Sequence, residues 1–138
     1  MKDKFLSFLI NEVSLKLDEL KKAFKTTQDL VKEGELIAES KWDTRSIEAG
    51  YLAGAQKKRI KEVEYEIQSL LFLKESSLLK TQVVLGALIE TEHISYLITE
   101  CTGGMKTEIN GKSILAISSK SPLFQKLLND EIKIINIS

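Results

Sequence analysis

Two runs of seam positions, spaced alternately four and three residues apart, constrain this chain more than any other feature. The first passes through Leu6, Ile10, Val13, Leu17, Leu20, Phe24, Thr27, Val31, Gly34 and Ala38. The second passes through Ala49, Ala53, Gln56, Ile60, Val63, Ile67 and Leu70. Such spacing is a heptad seam, the pattern of helices that wind on one another. No proline precedes Pro122, so nothing forces a kink in either run. Both runs exceed the length of an ordinary globular helix. They are joined by a short stretch around "KWDTRS", residues 41–46. A short link makes the two helices antiparallel neighbours.

Residues 1–75 therefore read as a long antiparallel coiled-coil hairpin with its tip at about 39–48. At a rise of 1.5 Å per residue the hairpin would project on the order of 40–50 Å. Large seam residues dominate far from the turn, and Gly34, Ala38, Ala49 and Ala53 dominate near it. Small residues let backbones approach, which predicts a hairpin that tapers; they equally suit the needs of the turn alone. Gly50 and Gly54 each cost roughly 1 kcal/mol relative to Ala inside a helix, a cost consistent with close packing. Trp42, beside the turn, reads either as a cap on the seam or as a partner contact.

Beyond "KESSLLKT", residues 74–81, the pattern changes. "TQVVLGALIE" and "HISYLITE" are β-branched and roughly alternating, as in strands. Asn110-Gly111 in "MKTEINGKSILAI" is a strong signal for a tight hairpin turn, and "CTGG" marks another turn. "SPLFQKLLND" reads as a short helix with Ser121 as its N-cap and Pro122 at its first position. "EIKIINIS" reads as a final strand. Residues 80–138 are thus expected to form a small antiparallel sheet with one short helix, and the whole chain an α+β protein.

Twenty basic and twenty acidic residues cancel over the 138-residue chain. A nucleic-acid binder driven by bulk charge would be more basic, so any electrostatic role must come from local segregation. One cysteine, Cys101, precludes an intramolecular disulfide, and one histidine with one cysteine cannot build a structural zinc site. Cys101 is expected to be a small buried apolar group, and His93 to sit in a turn between strands. The N-terminal segment lacks signal-peptide grammar and no apolar run reaches membrane-spanning length. The expectation is a soluble, cytoplasmic protein. No nucleophile–base set or cofactor motif points to an enzyme.

In order and motifs, nearly the whole chain resembles the bacterial Gre transcript-cleavage factors. "DTRSIEAGYLAGAQKKRIKEVEYEI" is similar to that family's acid-bearing tip and second helix, with Tyr51 matching a tyrosine there. "ISSKSPLFQKLL" is similar to the family's strand, "SPL" and short helix. The resemblance implies a coiled-coil hairpin followed by a small FKBP-like β domain. It implies binding to RNA polymerase, with the C-terminal domain at the rim of the secondary channel and the hairpin inside it. Tip carboxylates there help hold a second Mg²⁺, and the polymerase hydrolyses its own backtracked RNA. The cations stabilise the attacking and leaving oxygens, and Mg²⁺ is usually held through only one or two carboxylates. The chain would be an accessory factor with no cofactor of its own, sharing Mg²⁺ with the polymerase, contacting the nascent RNA 3′ end, independent of membranes and monomeric.

Carried onto this sequence residue by residue, Asp43 is the first candidate for the Mg²⁺-directed carboxylate; it is equally suited to cap the second helix. Glu48 is the second candidate, or a solvated acid in the first turns of that helix. The family pairs two acids three residues apart, on one helical face. Asp43 and Glu48 are five apart, about 140° on a helix, and Ile47 falls where the family's second acid would stand. Glu39 is a possible substitute from the first helix. Over residues 33–48 five acids stand against Lys41 and Arg45, a net of −3. Lys57, Lys58, Arg59 and Lys61 match an RNA-facing basic patch, or form an ordinary solvated face. Ser121, Pro122, Leu123 and Phe124 match the rim-docking region, or form a capped helix burying Leu123 and Leu127. Family members continue past "IKIINIS" with a further hairpin, so the resemblance implies a smaller sheet here, with a more exposed edge.

Three functions follow as expectations: a factor that rescues backtracked polymerase by stimulating cleavage, a polymerase-binding regulator without cleavage activity, and a coiled-coil interaction protein that uses only the hairpin.

Overall fold

Helical periodicity without a breaker produces two long helices, α1 (Lys2–Ile37) and α2 (Thr44–Glu75). The computed structural model describes residues 1–37, 44–76 and 79–138. The expected seam is the packed face: each of its positions from Leu6 to Val31 and from Ala49 to Leu70 is buried or half-buried. Charged neighbours such as Asp18, Glu19, Lys57 and Lys58 are exposed, which is the amphipathic arrangement a hairpin of two helices requires. The helices run antiparallel, because residues 24–32 of α1 lie beside residues 50–57 of α2.

The chain divides into two compact units: residues 13–65, and residues 1–12 together with 66–138. The first is the distal hairpin. Val13 and Val63 are fully buried in it, and Ile60 and Thr27 nearly so. Thr27 satisfies its hydroxyl within its own helix, donating to the Ala23 carbonyl at 3.0 Å.

The second unit holds the proximal turns of both helices and a five-stranded sheet: β1 (Leu88–Thr91), β2 (Ser95–Thr99), β3 (Lys106–Ile109), β4 (Lys112–Ser118) and β5 (Ile134–Ile137). The strand order is β3-β4-β2-β1-β5. Three pairings are antiparallel, but β2 and β4 run parallel, with Ser95 opposite Ile114 and Thr99 opposite Ser118. The sheet is therefore mixed, which corrects the expectation of an antiparallel one. The reason lies in burial. β4 buries Ile114, Ala116 and Ile117, whereas β3 alternates exposed Lys106 and Glu108 with half-buried residues. A charged strand suits an edge, so β4 takes the inner place beside β2 and the β3–β4 hairpin lies outside.

Asn110 (φ 54°) and Gly111 (φ 79°) close that hairpin. Two successive left-handed residues are what a type I′ turn demands, and Asn-Gly supplies them at the least steric cost. The first strand is shorter than "TQVVLGALIE" implies. Residues 81–87 form turns, in which Ala87 N–H bonds to the Val84 carbonyl and Gly86, at φ +83°, donates to the Ile98 carbonyl. The last strand forms as expected.

The short helix also forms as expected, as α3 (Pro122–Leu128). Ser121 Oγ accepts the Leu123 N–H at 3.1 Å, satisfying one of the free donors at the helix start. α3 buries Leu127 against Ala87, Ile89, Ile98 and Ile117, and Leu123 and Phe124 pack on that cluster. By register, Leu88, Leu97 and Ala116 lie on the opposite face of the sheet. The same unit buries Phe5, Leu6, Leu9, Leu70 and Leu73 from the proximal turns of α1 and α2.

Candidate functional site

The distal hairpin is built on two helices, with the small residues Ala49 and Ala53 at the seam positions near the start of α2. Glu48 projects into solvent from the second turn of α2. Beside it Ile47 is 54% exposed and Tyr51 78% exposed. Leu30 and Leu52 are exposed as well, so this unit presents apolar side chains of a size usually kept inside. Glu39 and Asp43, the other two candidate carboxylates, lie outside the described residues, as do Ala38, Lys41 and Trp42.

Between the two helices runs a groove of about 360 Å³, lined by Phe24, Gln28, Val31 and Lys32 from α1 and by Gly50, Ala53, Gly54 and Lys57 from α2. The glycines do not serve close packing between the helices. A Cβ built on Gly50 or Gly54 meets nothing within 4 Å. The expected explanation of these residues is thereby corrected: they leave open space, and no contact of a side chain at these positions with the described residues recovers the helix-propensity cost. A short way along the seam, Gln56 Oε1 is buried without a hydrogen-bond partner.

The basic run divides by helical geometry. Gly50, Gly54, Lys57 and Lys61 are spaced 4-3-4 and share one face of α2. Arg59 lies on a different face and pairs with Glu62 at 3.2 Å. That pair is exposed and contributes little to stability. On α1, Lys21, Lys25, Gln28 and Lys32 show the same 4-3-4 spacing, and Gln28 and Lys32 are groove residues. Lys21, Lys25, Lys32, Lys57, Lys58 and Lys61 are all exposed. The spacing of the α1 lysines is legible in the sequence, yet only the helix pairing brings Lys32 to the same groove as Lys57.

Within the sheet unit, Ser121 is engaged as a cap, and Leu123 and Phe124 are half-buried in the core. Of the four residues matched to rim docking, Pro122 is the exposed one, and Leu128 in the same helix is 46% exposed. His93 lies in the β1–β2 turn, at a hollow of about 380 Å³ that Glu90, Glu92 and Lys112 also line. Cys101 is exposed, which corrects the expectation that it is buried. Its Sγ sits 3.8 Å from Ser69 Oγ, and partial burial pushes its thiol pKa up, against the lowering effect of that hydrogen bond. A raised pKa makes a poor nucleophile. Next to it, Thr102 Oγ1 donates to Glu66 Oε1 at 2.8 Å. Lys2 Nζ donates to the Gly86 carbonyl at 3.1 Å, with its pKa lowered by burial and by Lys80.

Among the described residues no group of three His, Cys, Asp or Glu side chains gathers where a metal ion could be held. No described helix is long and apolar enough to cross a membrane. No family model matches the chain, and neither the curated proteins nor the solved structures contain a match.

Proposed function

We propose that this chain binds RNA polymerase at its secondary channel and acts on backtracked or paused transcription complexes, in the manner of the Gre factors it resembles. The observation that carries the reading is the order of the parts. Two long antiparallel helices bear an exposed acid, Glu48, near the turn, and a small β unit with a Ser-capped "SPL" helix follows. On this reading the β unit is FKBP-like and docks at the channel rim through the surface around Pro122, while the hairpin enters the channel. Asp43, with Glu48 or Glu39, would supply carboxylate oxygen to an Mg²⁺ shared with the polymerase. That ion is commonly held by one or two carboxylates, so few acids are needed. The hydrolysis belongs to the polymerase, and the factor has no catalytic set of its own.

The test is direct. Added to arrested complexes, the protein is expected to shorten the RNA from its 3′ end, and Asp43→Ala to abolish the shortening while leaving polymerase binding intact. Binding without shortening at any concentration removes the cleavage claim.

One observation favours a second reading, a regulator that occupies the channel without stimulating cleavage. Ile47, at the position matching the second tip acid, is an exposed apolar side chain. Competition with an active cleavage factor, without cleavage by this protein, would select this reading.

A further inference from the structure

The groove in the distal hairpin combines three properties that the hairpin itself does not use. Its floor is apolar, formed by Phe24, Val31 and Ala53. Its wall on α2 is open at Gly50 and Gly54, where an added Cβ would meet nothing within 4 Å. Its rim is cationic: Lys32 stands on one side and Lys57 on the other, and no carboxylate lines it among the described residues. The lysine lines continue beyond the groove through Lys25 on α1 and Lys61 on α2. Acids share those lines outside the groove, Asp29 on α1 and Glu64 on α2, so the excess of positive charge is confined to the groove rim itself.

We infer that this groove is a docking site for an acidic amphipathic helix of a protein partner. The apolar floor accepts side chains at the i, i+3 or i+4, and i+7 positions of such a helix, the usual helix-in-groove mode. A volume of about 360 Å³ is at the lower end for a binding cleft and suits a few aliphatic side chains. The bare glycine wall lets the incoming helix lie close to α2, and carboxylates flanking its apolar stripe meet Lys32 and Lys57. Charge complementarity of this kind sets orientation and rate of association. Nucleic acid is the less suitable occupant. Phosphates would use the lysines but leave the apolar floor empty, and a single aromatic, Phe24, makes a poor stacking platform. The inference stands on the groove alone and does not depend on the polymerase reading.

The test uses the full chain and a synthetic helical peptide of about 15 residues, with Leu at the i, i+3, i+4 and i+7 anchor positions and Glu on its flanks. Binding is followed by fluorescence anisotropy of the labelled peptide. The peptide is expected to bind, and its affinity to fall roughly tenfold or more in the Lys32→Glu/Lys57→Glu variant. Gly54→Leu places a good helix former in the open space and is expected to keep the fold, checked by circular dichroism, while blocking the groove. A control peptide with Lys in place of Glu is expected not to bind. Equal binding of the acidic peptide to all variants, or no binding at all, overturns the inference. So does preferential binding of a single-stranded RNA oligonucleotide that the two charge reversals abolish and Gly54→Leu leaves intact.

Discussion

The sheet unit and the distal hairpin are made from one chain but are finished to different degrees. In the sheet unit the largest buried side chains, among them Phe5, Leu9, Leu70, Ile89, Leu97 and Ile98, are fully removed from water. Two of its buried hydroxyls have partners: Thr99 donates to the Thr102 carbonyl, and Thr102 donates to Glu66. In the distal hairpin, Val13 and Val63 reach full burial, and both lie at the ends of that unit. Toward the turn the seam holds Ala49 and Ala53, leaves Gln56 Oε1 unpaired, keeps two glycines over open space and exposes Ile47, Tyr51 and Leu52. The difference teaches where stability and where surface reside. A region that carries unrecovered costs at several levels is where function is expected to override folding.

Three substitutions would break or sharpen this contrast. The largest effect is expected in the sheet unit. Ile98→Ala leaves a cavity between the sheet and α3 and should cost about 2–5 kcal/mol in urea unfolding. A loss well under 1 kcal/mol would mean that the core is not the stabilising part. In the hairpin the sign should reverse. Gln56→Leu replaces a buried unpaired amide oxygen with an apolar group of similar size and should stabilise by about 1–2 kcal/mol; destabilisation would show that the amide is satisfied in solution. The smallest effect belongs to Gly54→Ala, expected to raise stability by roughly 0.5–1 kcal/mol, read as a higher midpoint of thermal unfolding. A lower midpoint would reveal a contact at that wall and remove the argument that the space is open.

The local features were legible in the sequence because each depends on near neighbours. Leu6 through Val31 and Ala49 through Leu70 face inward as the 4-3 spacing dictates. Asn110-Gly111 forms its tight turn, and Ser121 with Pro122 opens α3, because backbone dihedrals and first-turn hydrogen bonds are set within a few residues. Asp43 and Glu39 follow from the family resemblance, and they lie outside the described residues. The groove was not legible: its floor needs Phe24 and Ala53 side by side, a pairing fixed by the alignment of two helices and not by either spacing alone.

What the sequence by itself determined is the set of elements: two long helices with a defined inner face, a tight β-hairpin, a capped short helix and a last strand. The tertiary structure decided how they combine. It placed β4 beside β2 in parallel, sent charged β3 to the edge, released residues 81–87 from the first strand and left Cys101 in solvent. It also brought Lys32 and Lys57 to opposite sides of one open groove. Periodicity, caps and turns are local and can be read along the chain. Strand neighbours, and which side chains share a surface, depend on contacts between residues far apart, where burial of the whole selects one pairing among many.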